Sequence, residues 1–106
     1  MEKAEKQLKK LKLSETYINI TGIHNYKHFE PFKEGTVVDL VKEPDNPHDR
    51  NAIRVEISGE TVGYVANSKY TLIKQVKSAK DIKNTKSTKA EVQFILFNEW
   101  VIAKLI

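Results

Sequence analysis

The sequence predicts a mainly β (α+β) fold: a small six-stranded barrel with one internal helix and a short N-terminal helix. Three observations carry this prediction. Apolar residues recur with a period of two in short segments between Tyr17 and Val65, and β-branched and aromatic residues crowd Val92 to Ile106. Helical spacing is confined to two stretches, one at the N-terminus and one after Val65. The chain has 106 residues, 40% of them apolar, which suits one domain with one core.

The elements follow in order. Residues 1–14 form an amphipathic helical arm, with Ala4, Leu8 and Leu11 on one face and lysines on the others. About eleven helical residues are marginal in isolation, so the leucines must dock, either on their own domain or on a second copy in a homo-oligomer. The barrel domain spans residues 15–106. Its first strand runs Tyr17 to Ile23 with Ile18 and Ile20 inward, followed by an aromatic loop from His24 to Gly35. Thr36 to Val41 is the second strand. Glu43 to Asp49 must be a loop, because Pro44 and Pro47 remove two backbone donors and restrict the residues before them.

Ala52 to Ile57 and Glu60 to Val65 alternate around Ser58-Gly59, a two-residue hairpin link in which glycine supplies a positive φ. Asn67 or Ser68 then caps a helix whose stripe is Leu72, Ile73, Val76 and Ala79. Asn84 to Lys89 reads as an exposed loop. Val92 to Phe97 and Trp100 to Ile106 close the sheet around Asn98-Glu99. Six short strands with an inserted helix make the barrel OB-like, and barrels of this kind leave their loops as the functional surface.

Composition excludes several classes of function. With no cysteine, disulfides, thiolate metal sites and thiol nucleophiles are ruled out. No apolar run reaches the ~20 residues of a membrane-spanning helix, and the N-terminus lacks a signal-peptide core, so a cytoplasmic domain is expected. There is no Gly-rich phosphate loop, GxSxG or HExxH. His24 and His28 lack a third ligand at metal spacing, and Glu43, Asp45 and Asp49 share one loop without a second contributing element. A non-enzymatic domain without metal or cofactor is expected.

The net charge of +4 is segregated. Residues 1–12 hold five Lys and two Glu, residues 13–66 five basic and nine acidic groups, and residues 67–89 seven Lys and Asp81. Such segregation argues for an anionic partner, and lysine attracts phosphate without the planar fork that reads guanine. Lys74, Lys77, Lys80, Lys83, Lys86 and Lys89 recur every three residues, a step that spirals around a helix rather than lining one face. They read mainly as a solvated surface whose collective field steers a phosphate chain.

The acidic middle holds the most specific motif. The run Leu40 to Val55, with Glu43-Pro44-Asp45-Asn46-Pro47-His48-Asp49 leading into Asn51-Ala52-Ile53, resembles the signature of the HIRAN domain. Gly63-Tyr64-Val65 matches the end of that family's hairpin, and Thr21-Gly22-Ile23 its first strand; the likeness spans about residues 17–80. The family occurs in replication-fork-remodelling helicases and as small bacterial domains. The resemblance implies an OB-like barrel that grips the 3′ end of single-stranded DNA, in repair or replication.

It also implies a role for Asp49. A free 3′-hydroxyl is a donor that a carboxylate accepts, whereas an internal phosphodiester has no proton and repels it. Asn46 would hold the terminal sugar and phosphate. Both residues have a structural alternative, in which they bond backbone amides and shape the double-proline loop. His48 stands where the helicase members carry a stacking tyrosine, and His24-Asn25-Tyr26 stands where they carry an arginine and a second one. Tyr64 and Asn67 flank the end of the hairpin, and Lys69 is the best single candidate for a phosphate contact. The alternative from another class is a protein-interaction or assembly module that keeps the fold without DNA binding.

Overall fold

Strand β1, Tyr17–Thr21, divides its side chains between two apolar clusters, and the barrel is organised around that division. The computed structural model describes residues 6–7, 9–12, 14–67 and 76–106. Ile18 and Ile20 are fully buried in the barrel interior with Val38, Val55, Val62 and Val101. Tyr17 turns outward to a second cluster with Leu11, Val76, Leu96 and Ile102. The pleat's period of two thus covers the β1 wall on both faces.

The remaining strands are β2 (Val37–Lys42), β3 (Ile53–Ile57), β4 (Glu60–Val65), β5 (Val76–Lys77), β6 (Lys89–Leu96) and β7 (Trp100–Leu105). The hydrogen-bonded order β4-β3-β2-β6-β7-β1 closes through a β1–β4 pairing, Ile20 with Val65 and Thr21 with Tyr64. The result is a closed six-stranded barrel, as expected. Closure is tight: a Cβ on Gly63 would lie 2.8 Å from both Ile20 Cγ2 and the Thr21 carbonyl oxygen. This position needs glycine for close backbone approach.

Two expected boundaries shift for identifiable reasons. Gly22 has φ +71 and ends β1 at Thr21, so Ile23 is buried from a 3-10 turn, Ile23–Asn25, rather than from the strand. The last strand pair begins earlier, at Lys89, and absorbs a bulge between Val92 and Phe94. Both hairpin links turn as type I′ links do: Ser58 and Gly59 have φ of 52 and 80, and Phe97 and Asn98 have 54 and 51.

Among the described residues there is no internal α-helix. Ser68 to Gln75, which include Leu72 and Ile73, lie outside the described residues. Val76 and Lys77 instead form β5, parallel to β1 at Tyr17 and Ile18. Consecutive turns follow, the first with the Ser78 amide donating to Asp81 Oδ2 and the Asp81 amide to Ser78 Oγ. These turns insert Ala79 and Ile82 into the barrel core while Val76 faces the outer cluster. Burial at 76, 79 and 82 imitates helical spacing, but here it arises from a strand and a turn serving two different cores.

At the N-terminus, Lys6, Gln7 and Lys9 are helical. Leu11 is buried against the barrel's own outer cluster, and the Lys12 amide donates to the Tyr17 hydroxyl at 3.0 Å. Of the two dockings expected for the arm, Leu11 takes the one on its own domain. Ala4 and Leu8 lie outside the described residues.

Candidate nucleic-acid interface

The double-proline loop is shaped by its own side chains. Asn46 Oδ1 accepts the amides of His48 and Asp49 at 2.8 and 3.1 Å, an Asx turn that offsets the donors lost at the prolines. Its Nδ2 donates to Glu43 Oε1 at 2.9 Å. Asn46 is therefore largely occupied in holding the loop, as its structural alternative requires.

Asp49 is held differently. Its Oδ1 accepts the Asn51 amide at 2.8 Å, and its Oδ2 accepts Asn67 Nδ2 at 2.7 Å. A carboxylate has about four acceptor positions, so two remain for a further donor. Asn51 sits at the base of the loop and Asn67 just past β4, so the carboxylate is oriented from both sides. An open concavity of about 660 Å³ borders the loop, lined by Asn46, His48, Asp49 and Arg50 among others.

Glu43 ties this loop to the barrel wall. Besides Asn46, it accepts Arg54 NH1 at 2.5 Å and the Tyr64 hydroxyl at 3.1 Å through Oε2. Arg54 Nε also donates to Glu56 at 2.7 Å. The Asn46 bond, with Arg54 and Tyr64, holds the Glu43 carboxyl below its ordinary pKa. Burial first, then the Glu43 carboxylate and the nearby Tyr26, push the Tyr64 phenol above its ordinary value.

The structure brings most of the expected residues together. Asp49, Asn46, His48, Asn67 and Tyr64 share the loop and its footing, and the 3-10 turn packs on β4 with Tyr26 beyond it. Tyr26 is 39% exposed and Asn25 is exposed. His48 is exposed, with its amide engaged by Asn46. His24 is drawn into a contact with His28, their Nδ1 atoms 3.0 Å apart, one donating and the other accepting. The edge of Phe29 packs on His24. Lys69 lies outside the described residues.

Three contributors to this surface were missed by the sequence. Glu43 and Arg54 read as a turn acid and an outward strand residue, and only the register reveals them as one hub. Phe97 is the third: it is 53% exposed at the tip of the β6–β7 hairpin, its ring edge-on to Trp100 at 6.0 Å. Continuing the β1–β7 register by one residue sets Trp100 opposite Thr21, which pairs with Tyr64, which pairs with Arg54. One row across the outer wall thus runs from aromatic side chains to the Glu43 hub, with Trp100 two strand spacings, about 10 Å, from Tyr64. The signal available was the aromatic pair flanking Asn98-Glu99, which reads equally well as core.

A half-buried carboxylate bordering an open concavity, with aromatic side chains on the adjoining wall, suits a binding surface for a polar group with planar rings. The family model for the HIRAN domain matches residues 13–90, and the chain belongs to the HIRAN family, generally a family of DNA-binding modules. The crystal structure of the HIRAN domain of human HLTF has the same fold. Its TM-score is 0.55 at 20% identity, over 86% of this chain and 74% of that one. Curated proteins give no match. No helix among the described residues is long and apolar enough to cross a membrane.

Proposed function

We propose that this domain is a non-enzymatic module that binds single-stranded DNA by its 3′ end, with Asp49 accepting the terminal hydroxyl. The observation that carries the reading is the Asp49 carboxylate, oriented by Asn51 and Asn67 with acceptor capacity left over. Tyr26, His48 and the Phe97–Trp100 pair offer planar faces for the last bases. Asn46 and Glu43 act by positioning the loop. The rival reading is a protein-interaction or assembly module that keeps the fold without DNA binding; the burial of Leu11 on its own barrel removes part of its support from residues 1–14.

The test is fluorescence anisotropy with short strands ending in 3′-hydroxyl or 3′-phosphate. A hydrogen bond to a charged group contributes about 1.5–3 kcal/mol, so the hydroxyl end should bind roughly 10- to 100-fold more tightly. Asp49→Asn should erase most of that preference. Equal binding of both ends by the unaltered protein refutes end recognition.

A further inference from the structure

We infer that a second nucleic-acid contact lies on the other side of the same loop. There, a basic groove formed by Lys42, Arg50, Lys83 and Lys86 takes the sugar-phosphate backbone of the strand beyond its terminus. The inference rests on the proposed end recognition and extends it to a longer footprint.

The groove consists of two concavities that share Lys42 and Ile53. One, of about 190 Å³, lies between the loop and the segment after Ile82, with Arg50, Asn51, Lys83 and Asn84 in its lining. The other, of about 450 Å³, continues along Leu40, Ile82, Thr85 and Lys86. Lys42 Nζ spans the junction and donates to the Thr85 carbonyl at 3.1 Å. Pro44 and Arg50 line both this groove and the concavity beside Asp49, so the two surfaces are continuous around the loop.

Charge and surface chemistry identify the occupant. Among the described residues, no acidic residue lines either concavity. Among the described residues the ion pairs are Lys27–Glu60, Arg54–Glu43, Arg54–Glu56 and Lys89–Asp39, which leaves the four groove cations without an acidic partner. All four are exposed. The floor is apolar, from Leu40, Ile53 and Ile82. Cations along the rim and an apolar floor match a chain that alternates phosphates with flat rings, whereas an acidic peptide offers only the charge. The regular lysine spacing also finds a use: Lys83 and Lys86 converge with Lys42 and Arg50 from distant parts of the chain.

The test measures binding of fluorescein-labelled oligothymidylates of 4 and 12 nucleotides, each with a 3′-hydroxyl, between 0.05 and 0.5 M salt. Each phosphate contact on a single strand contributes about 0.7 to the slope of log K against log salt. The Lys83→Gln/Lys86→Gln variant should therefore lower the slope for the 12-mer by about 1.4. That corresponds to an affinity about 25-fold weaker at 0.1 M salt, with 4-mer binding and the 3′-hydroxyl preference retained. A Lys10→Gln/Lys33→Gln variant, equal in charge but outside the groove, should leave the slope near that of the unaltered protein. An unchanged slope in the groove variant, an equal loss in the control variant, or equal competition by polyglutamate overturns the inference. Loss of end preference in the unaltered protein, with the groove effect intact, refutes end recognition alone.

Discussion

Replacing Gly63 by alanine tests the closure of the barrel. The new methyl would meet the Thr21 carbonyl oxygen and Ile20 Cγ2 at 2.8 Å, more than half an ångström inside ordinary contact. The oxygen is backbone, and Ile20 is fully buried, so neither yields without moving β1 away from β4. That seam has only two registered pairs, Ile20 with Val65 and Thr21 with Tyr64. Overpacking of this kind costs about 1–3 kcal/mol, and partial loss of the seam puts the expected destabilisation near 3 kcal/mol. For a domain of this size that lowers Tm by about 12–20 °C. The control is Gly22→Ala, where nothing lies within 4 Å but φ is +71; its left-handed backbone costs about 1–2 kcal/mol. Urea denaturation followed by Trp100 fluorescence and far-UV circular dichroism gives both values. A Gly63→Ala protein no less stable than Gly22→Ala refutes the claim that steric closure sets this position.

Glu43→Ala leaves Arg54, Tyr64 and Asn46 without their shared acceptor and should cost about 2 kcal/mol by urea denaturation, with Glu43→Gln losing about half as much. The pH dependence has a definite sign. The folded carboxyl titrates below its unfolded value, so its contribution is complete above pH ~4.5 and disappears as pH falls through the folded pKa. Glu43→Gln should flatten the acid limb of stability below pH ~4.5, and an unchanged limb would assign that limb to other groups. Phe97→Asn should raise stability by about 0.5–1 kcal/mol, because asparagine tolerates the φ of 54 that strains phenylalanine. The same variant should weaken oligonucleotide binding roughly fivefold or more if Phe97 stacks on a base; anisotropy beside thermal melting separates the two effects.

Much of this was legible in the sequence because local chemistry and tertiary packing agreed. The Ser58-Gly59 link and the alternation of Ile53, Val55 and Ile57 specify the β3–β4 hairpin without reference to the rest of the chain. The loop was legible for the same reason: Pro44, Pro47 and Asn46 shape it through contacts within a few residues. The end of the helix expected after Val65 is a strand and turns instead: Val76 and Ala79 keep a helical interval while packing into two separate clusters. Sequence periodicity records how often a residue is buried, not which core buries it. The Glu43–Arg54–Tyr64 hub joins residues up to 21 positions apart, and only the β3–β4 register turns three ordinary polar residues into one anchor.

The distribution of charge, puzzling as a linear pattern, follows from that register. An acidic middle is a poor surface for a polyanion unless its carboxylates are neutralised. Four of the nine are ion-paired: Asp39 with Lys89, Glu43 and Glu56 with the one Arg54, and Glu60 with Lys27. Asp49 is instead held by two neutral amide donors, which leaves it capacity to accept a further donor. Asp49 lies beside a groove whose cations have no acidic partner among the described residues. Under the proposed function, a phosphate chain is drawn to the groove and repelled at Asp49 unless it arrives there with a hydroxyl. The proposal thereby places attraction and selection on opposite sides of one loop, so substitution should remove each without the other.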